Sequence, residues 1–476
     1  MHFSLRAVSL VLFLSLFAIT TSFLQATTVN GVLYASDFPG NDLGAQVMAA
    51  ISTCSSGCTI LLPKGRFDVS TPIVLRTGVT LVGQGTGATA LNWVGSSNVA
   101  PIEIRYAMRS RLQGFALNRN NSTTMAPAIE VFGGWDTRID DIWCTANWGV
   151  WQEYVGFQGC VWITGTDQAP SCLTRLTNSR LENYAGYSVK VDHAVDTYFV
   201  SLSSYSYPGN TTADGLVIDT AVGGFHADMF SCGRGKHCLV VQNTLGGTVP
   251  HWLYFNEFEA DTTTGGDGIL FDKSLGKDPV ATVFTSSWSG GAGLNDTGGI
   301  ITPSANGIRI AGGSSITWEG RIRRNAANGV LISSNTSSFI TLHNSQIYAN
   351  NLANSGDGHG IYISGATTHI SISDNDITNS LDYGGQQRYG IKVGRVRADQ
   401  LRIVNNDLTN NVTASLLNND VGASMISGNM PLSSSTQAGT GAGSPSQATT
   451  APPSKGTSVG TPYPVTGRGC IRGVEC

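Results

Sequence analysis

The sequence predicts an all-β protein built as one parallel β-solenoid, closed near its N-terminus by a short helix. Three observations predict it. A short apolar strand motif returns at intervals near the length of one coil. Glycine and asparagine occupy regular places between the returns. Gly and Pro also interrupt the chain too often for long helices.

The returning motif is a glycine or small residue followed by an alternating apolar stretch. It starts at Gly215, Cys238, Gly268, Gly307, Gly329, Gly360 and Gly390, at spacings of 23, 30, 39, 22, 31 and 30 residues. Second short strands lie between these starts, such as Ile316 to Trp318, Phe339 to Leu342, Ile370 to Ile372 and Leu401 to Val404. Most lead into asparagine-rich corners at Asn350-Asn351, Asn375-Asp376 or Asn405-Asn406-Asp407. No single coil of this kind buries its own Ile and Val. Coils stacked at about 4.8 Å pair each strand with the next and align the inward side chains into one apolar column. Glycine permits tight corners, and asparagine tolerates left-handed backbone while hydrogen-bonding the turn. The uneven spacing disfavours a propeller, and the leucine pattern of a leucine-rich repeat is absent.

From the N-terminus, Met1 to Ala26 has Arg6, an apolar stretch from Val8 to Ile19 and a small or polar end, which predicts a secretory signal peptide cleaved after Ala26. An uncleaved anchor is the alternative, disfavoured because a span needs about 20 apolar residues. Asp42 to Ile51 places Leu43, Val47, Ala50 and Ile51 on one helical face, with Asn41 or Asp42 as the cap. Brief β-type runs follow at Thr59 to Leu62, Phe67 to Val69, Ile73 to Leu75 and Val79 to Val82. The solenoid then continues to about Ser433. From residue 434 the chain is mostly Ser, Thr, Gly, Ala, Pro and Gln, a composition that cannot offset the entropy of ordering, and a flexible tail is expected.

Composition narrows the function. Of 476 residues only 13% are charged and 58 are glycine, which suits an exported β-rich protein. The formal charge of −4 and the lack of a basic stripe argue against nucleic acid as a partner. Nine cysteines fit an oxidising compartment: Cys54/Cys58, Cys160/Cys172, Cys232/Cys238 and Cys470/Cys476 are near neighbours, and Cys144 is left over. Connectivity does not follow from sequence, and the spacings are not those of a zinc site. Secretion or display at the cell surface is the expected location.

Tyr34 to Phe38, the helix, Thr59 to Val69 and Pro72 to Gly85 together resemble the N-terminal cap and first coils of the pectate-lyase superfamily. With the coils, the likeness spans roughly residues 30 to 430. It implies a right-handed parallel β-helix, single-stranded, with a polysaccharide lying across the outside of one sheet. It also implies glycosidic hydrolysis or β-elimination as the reaction, with non-catalytic glycan binding or adhesion on the same scaffold as the alternative. No cofactor is expected for hydrolysis; a lyase would add calcium.

Polygalacturonases of this fold carry Asn-Thr-Asp, Asp-Asp, Gly-His-Gly and Arg-Ile-Lys on neighbouring coils. Gly358-His359-Gly360 reproduces the third and Ile391-Lys392 part of the fourth. The first two do not follow: Asn335-Thr336-Ser337 ends in serine, and Asp140-Asp141 lies more than 200 residues before His359. Inverting hydrolysis needs two carboxyl groups about 6.5–9.5 Å apart, and a lyase needs a base. The acids near His359 make Asp357, His359, Asp374, Asp376 and Lys392 the candidate catalytic group, with Arg388 beside them for substrate. The same Asp residues also suit turn ends. A second candidate is Asp140, Asp141, Trp148 and Trp151, in a segment with five of the nine tryptophans within 28 residues. Aromatic faces stack on sugar rings, although the rings also suit packing inside an irregular coil. On a plain strand Asp140 and Asp141 would point to opposite sides. The remaining histidines form no metal spacing and read as turn or surface residues.

Overall fold

Strands of three to five residues cannot fold alone, and here each hydrogen-bonds to its equivalent one coil away. In the computed structural model the described residues are 31–119, 125–146, 148, 156–273, 279–422 and 424–431. The leader, Trp151, and the tail with Cys470 and Cys476 lie outside them. Thirteen strands, from Ile73–Leu75 to Ala414–Asn418, form a first sheet that is parallel throughout. All seven predicted motifs fall in it in one register, stacking Leu216, Leu239, Ile269, Ile308, Val330, Ile361 and Ile391. The chain is a right-handed parallel β-helix, the hand that parallel crossovers take.

A further 21 strands form a second parallel array. Its longer strands bend at one residue per coil. Gly114, Asp141, Asn178, Ser201, Met229, Glu257, Ser286, Asn344, Asp374, Asn405 and Gly428 hold φ between 47° and 70°. Their registers align them in a column, which divides the array into a second sheet before the corner and a third sheet after it. Left-handed backbone favours Gly, Asn and Asp, whose short side chains bond locally.

The residue after this corner turns inward. Asn375 Nδ2 donates to Asn406 Oδ1 and Asn406 Nδ2 to Asn429 Oδ1, both at 2.9 Å. Asn325, Asn350, Gln387 and Asn411 form a second such ladder at 2.9, 3.1 and 2.7 Å. The expected asparagine corners are thus hydrogen-bonded columns. Between the sheets the core is continuous, with rings of Phe199, Phe225, Phe255, Phe284 and Trp318 in contact along the axis.

The capping helix is Leu43–Thr53, with Leu43, Val47, Ala50 and Ile51 buried as its periodicity predicts. Asp42 caps it, accepting the Ala45 N–H at 2.7 Å. Its other oxygen takes the backbone N–H groups of Ser70 and Thr71 at 2.8 and 3.0 Å, tying the helix to the coils. Burial raises the Asp42 pKa, but hydrogen bonds from Ser70, Ala45 and Thr71 outweigh it and bring the pKa to about 2.

Disulfides join Cys54 to Cys58 and Cys232 to Cys238, as neighbouring positions suggest. The expectation for the middle cysteines needs correction. Cys144 is not left over but bonds Cys160, so the short Cys160/Cys172 loop does not form; Cys172 is in a disulfide of its own. Cys144 and Cys160 lie on successive strands of one coil with both side chains in the core, which brings their Cα atoms to 5.8 Å. No described helix is long and apolar enough to cross a membrane.

Candidate functional site

The residue before each of the seven returning motifs forms a polar column on the first sheet: Asp214, His237, Asp267, Asn306, Asn328, His359 and Tyr389. His237 Nδ1 lies 2.9 Å from Asp214 Oδ1. Asn306 donates to Asp267 at 2.8 Å and Asn328 to Asn306 at 2.9 Å. The His359 backbone N–H then reaches Asn328 Oδ1 at 2.8 Å, and there the chain of side-chain bonds ends. The His359 ring is wholly buried, neither nitrogen has a hydrogen-bond partner, and the rings of Tyr362 and Tyr389 stand 5.3 Å away. Burial, then the Lys392 charge, lowers its pKa to about 4, so the imidazole is neutral at pH 7.

Over His359 lies a charged surface cluster. Lys392, outward on the next strand, donates to Asp357 Oδ1 at 2.6 Å and sits 4.5 Å from the centre of the Tyr362 ring. That hydrogen bond holds the Asp357 carboxyl below its ordinary pKa, against some burial. Asp357 Oδ1 is 3.9 Å from His359 Nε2, too far for a hydrogen bond. Arg388 donates to the Gly356 carbonyl at 3.2 Å. Asp357, His359, Arg388 and Lys392 are therefore brought together.

Asp374 and Asp376 are not part of this cluster, a correction to the expected catalytic group. Asp374, at φ 59°, belongs to the left-handed corner column with Asn344 and Asn405. Asp376 bridges Gln346 and Asp407 on the third sheet. Both sit at a different corner of the coil from His359, because the chain turns between the third sheet and the first at residues 378–388.

The second candidate is also rearranged. Asp141 is itself a corner residue, at φ 50°, so Asp140 and Asp141 both stay outside the core between inward Ile139 and Ile142. The plain-strand expectation fails because the strand bends between them. Asp140 accepts from Thr177 at 2.6 Å and Asn178 at 2.9 Å, which binds it into the corner. Burial, then the neighbouring Asp140, raises the Asp141 pKa. The described tryptophans do not share one platform. The Arg66 guanidinium sits over Trp148 at 4.2 Å. Trp143 bonds Glu182 on the third sheet at 3.0 Å, and Trp162 bonds Asp192 beside the first at 2.7 Å.

Two surface features were not anticipated from the sequence. A groove of about 700 Å³ is lined by Asp167, His193, His251 and Trp252. On the third sheet, Glu259 stacks in register on Trp288 and Arg321, and Asp261 on Gly290 and Arg323. Alternation marks each of these positions as outward, but only the pairing of coils of unequal length places them side by side. Among the described residues no three His, Cys, Asp or Glu side chains gather to hold a metal.

No protein-family model and no curated protein matches the chain. Solved structures do. The A-module of mannuronan C-5 epimerase AlgE4 from Azotobacter vinelandii is 16% identical over 83% of this chain and 100% of that one, with a TM-score of 0.58. The corresponding AlgE6 module is 18% identical over 83% and 98%, with a TM-score of 0.56. The N-terminal fragment of bacteriophage phi29 gene product 12 is 12% identical over 89% and 75%, with a TM-score of 0.62. At these identities the likeness establishes the fold.

Proposed function

We propose that this is a secreted protein acting on polysaccharide, with an extended sugar chain lying across the first sheet at the coils that end in Tyr362 and Lys392. One observation carries the reading: exposed Asp357 and Arg388 and partly buried Lys392 converge beside the Tyr362 ring on adjacent coils. A sugar ring offers an apolar face to the tyrosine and hydroxyls to the charged groups. The two cations favour a glycan that bears carboxylates. Two of the similar folds are modules of enzymes named for mannuronan, a polysaccharide, which supports the same class of ligand. The disulfides fit an oxidising, extracellular setting.

The cluster itself favours holding sugar over cutting it. Asp357 is a single carboxylate already paired with Lys392, and hydrolysis needs two. His359, the histidine of the Gly-His-Gly motif, is covered. These observations favour non-catalytic glycan binding as the second reading for this patch. The test combines binding and turnover. The full chain is run through gels containing polygalacturonate, alginate or a neutral glucan, and incubated mixtures are assayed for new reducing ends and for unsaturated products. Retardation by the acidic polymers, lost in Lys392→Ala with Arg388→Ala, is expected. Migration unaffected by every polymer, together with no product, refutes the proposal.

A further inference from the structure

Outward positions of the third sheet form two columns. One runs Ser231, Glu259, Trp288, Arg321; the other runs Gly233, Asp261, Gly290, Arg323. Two carboxylates therefore project from one strand, an aromatic ring lies one coil on, and two guanidinium groups lie a coil beyond that. Gly233 and Gly290, on either side of Asp261, leave room for the Tyr205 and Trp288 rings that pack against them. Asp261 accepts the Thr262 hydroxyl at 2.7 Å, and neither acid is ion-paired among the described residues. Arg323 stands 5.1 Å over the Trp288 ring and donates to the Tyr348 hydroxyl at 3.2 Å.

The surface is hollowed at this place. A cavity of about 400 Å³ lined by Trp288, Gly320, Arg321 and Arg323 meets another of about 140 Å³ lined by Asp261, Trp288, Gly290 and Asp296. The strand pairing slips its register between Phe284 and Ser287, opposite Gly320. Such irregularities bend a strand and re-aim its side chains beside functional sites. Trp288 Nε1 is buried without a partner.

We infer that this groove is a glycosidic hydrolysis site, with Asp261 in its lining as general base and Glu259, at its edge in register with the lining Trp288, as general acid. The inference rests on the polysaccharide reading above and moves the chemistry to a different face. Outward neighbours on one strand have Cα atoms roughly 6.6 Å apart, two rises of about 3.3 Å. From that spacing the two side chains can splay to the carboxyl separation of about 6.5–9.5 Å that leaves room for a water between sugar and base. Asp261, bonded by the Thr262 hydroxyl, takes a proton from the water as its oxygen attacks the anomeric carbon. The bond from that carbon to the bridging oxygen breaks, and Glu259, beside the indole, gives its proton to the leaving oxygen. The product has an inverted anomeric centre, and solvent exchange restores both carboxyls. Trp288 supplies the stacking surface. Arg321 and Arg323 face the next sugar, which points to an acidic polysaccharide.

The full chain is incubated with polygalacturonate and alginate, reducing ends are counted, and the first anomer formed is read by proton NMR. New ends with inverted configuration are expected. Glu259→Gln and Asp261→Asn should each lower the rate by about a hundredfold or more, with binding to the polymers and circular dichroism unchanged, while Asp374→Asn cleaves normally. Wild-type rates in both acid variants, a retained anomer, unsaturated ends, or binding without any cleavage would each overturn the inference. Loss of gel retardation in the Lys392 and Arg388 variant with cleavage intact leaves this site standing and confines the first-sheet patch to binding.

Discussion

His359 shows how burial decides what a motif residue does. Its ring faces Tyr362, Tyr389, Asp357 and Lys392, with no bond to either nitrogen. In the unfolded chain it protonates near pH 6.5, and in the folded chain only near pH 4. Between these values the unfolded state binds more protons. His359 therefore stabilises the fold fully above pH 6.5, and that contribution falls away as pH drops toward 4. Thermal melts of His359→Leu should show a shallower loss of stability over this interval than wild type; parallel curves would contradict it. Asp374 makes the complementary case. At φ 59° it serves backbone geometry, so Asp374→Asn or Asp374→Gly should be near neutral, whereas Asp374→Val should cost about 1–2 kcal/mol in denaturant unfolding. The motif at His359 was legible in the sequence. The role of Asp374 was not, because aspartate serves a left-handed corner and a catalytic centre equally well.

Within the structural elements, the ladders matter more than any one strand. Asn406 accepts from Asn375 and donates to the Ile372 carbonyl and to Asn429 while wholly inside the coil. Asn406→Leu would strand several of these groups without water, and an unfolding free energy lower by at least about 2 kcal/mol is expected from urea titration. The strand motifs and asparagine corners could be read from residue order because each coil repeats the same demands. The middle disulfide could not, since Cys144 and Cys160 meet only when one coil has closed. A loop of this size contributes about 3 kcal/mol, so Cys144→Ala should melt well below wild type by calorimetry, and an unshifted transition would show the bond to be dispensable.

Over the whole molecule, sugar binding by the first-sheet cluster should weaken as salt rises. Arg388 is exposed and Lys392 partly so, and such charges are screened within about 10 Å at 0.1 M ionic strength. Gel retardation by polygalacturonate unaffected by salt would argue against a charge-led contact. What residue order alone determined is the solenoid: alternation and glycine spacing settle which side chains point inward, and every coil needs the same inward set to complete one core. What only the tertiary structure decided is which outward side chains meet. Asp357 and Lys392 are 35 residues apart, and Glu259 pairs with Trp288 across a loop of different length from the next. Turns between 22 and 39 residues per coil leave the core unchanged yet shift the outer columns. Inside and outside follow from hydrophobicity along the chain, whereas adjacency on the surface follows from how coils of unequal length stack.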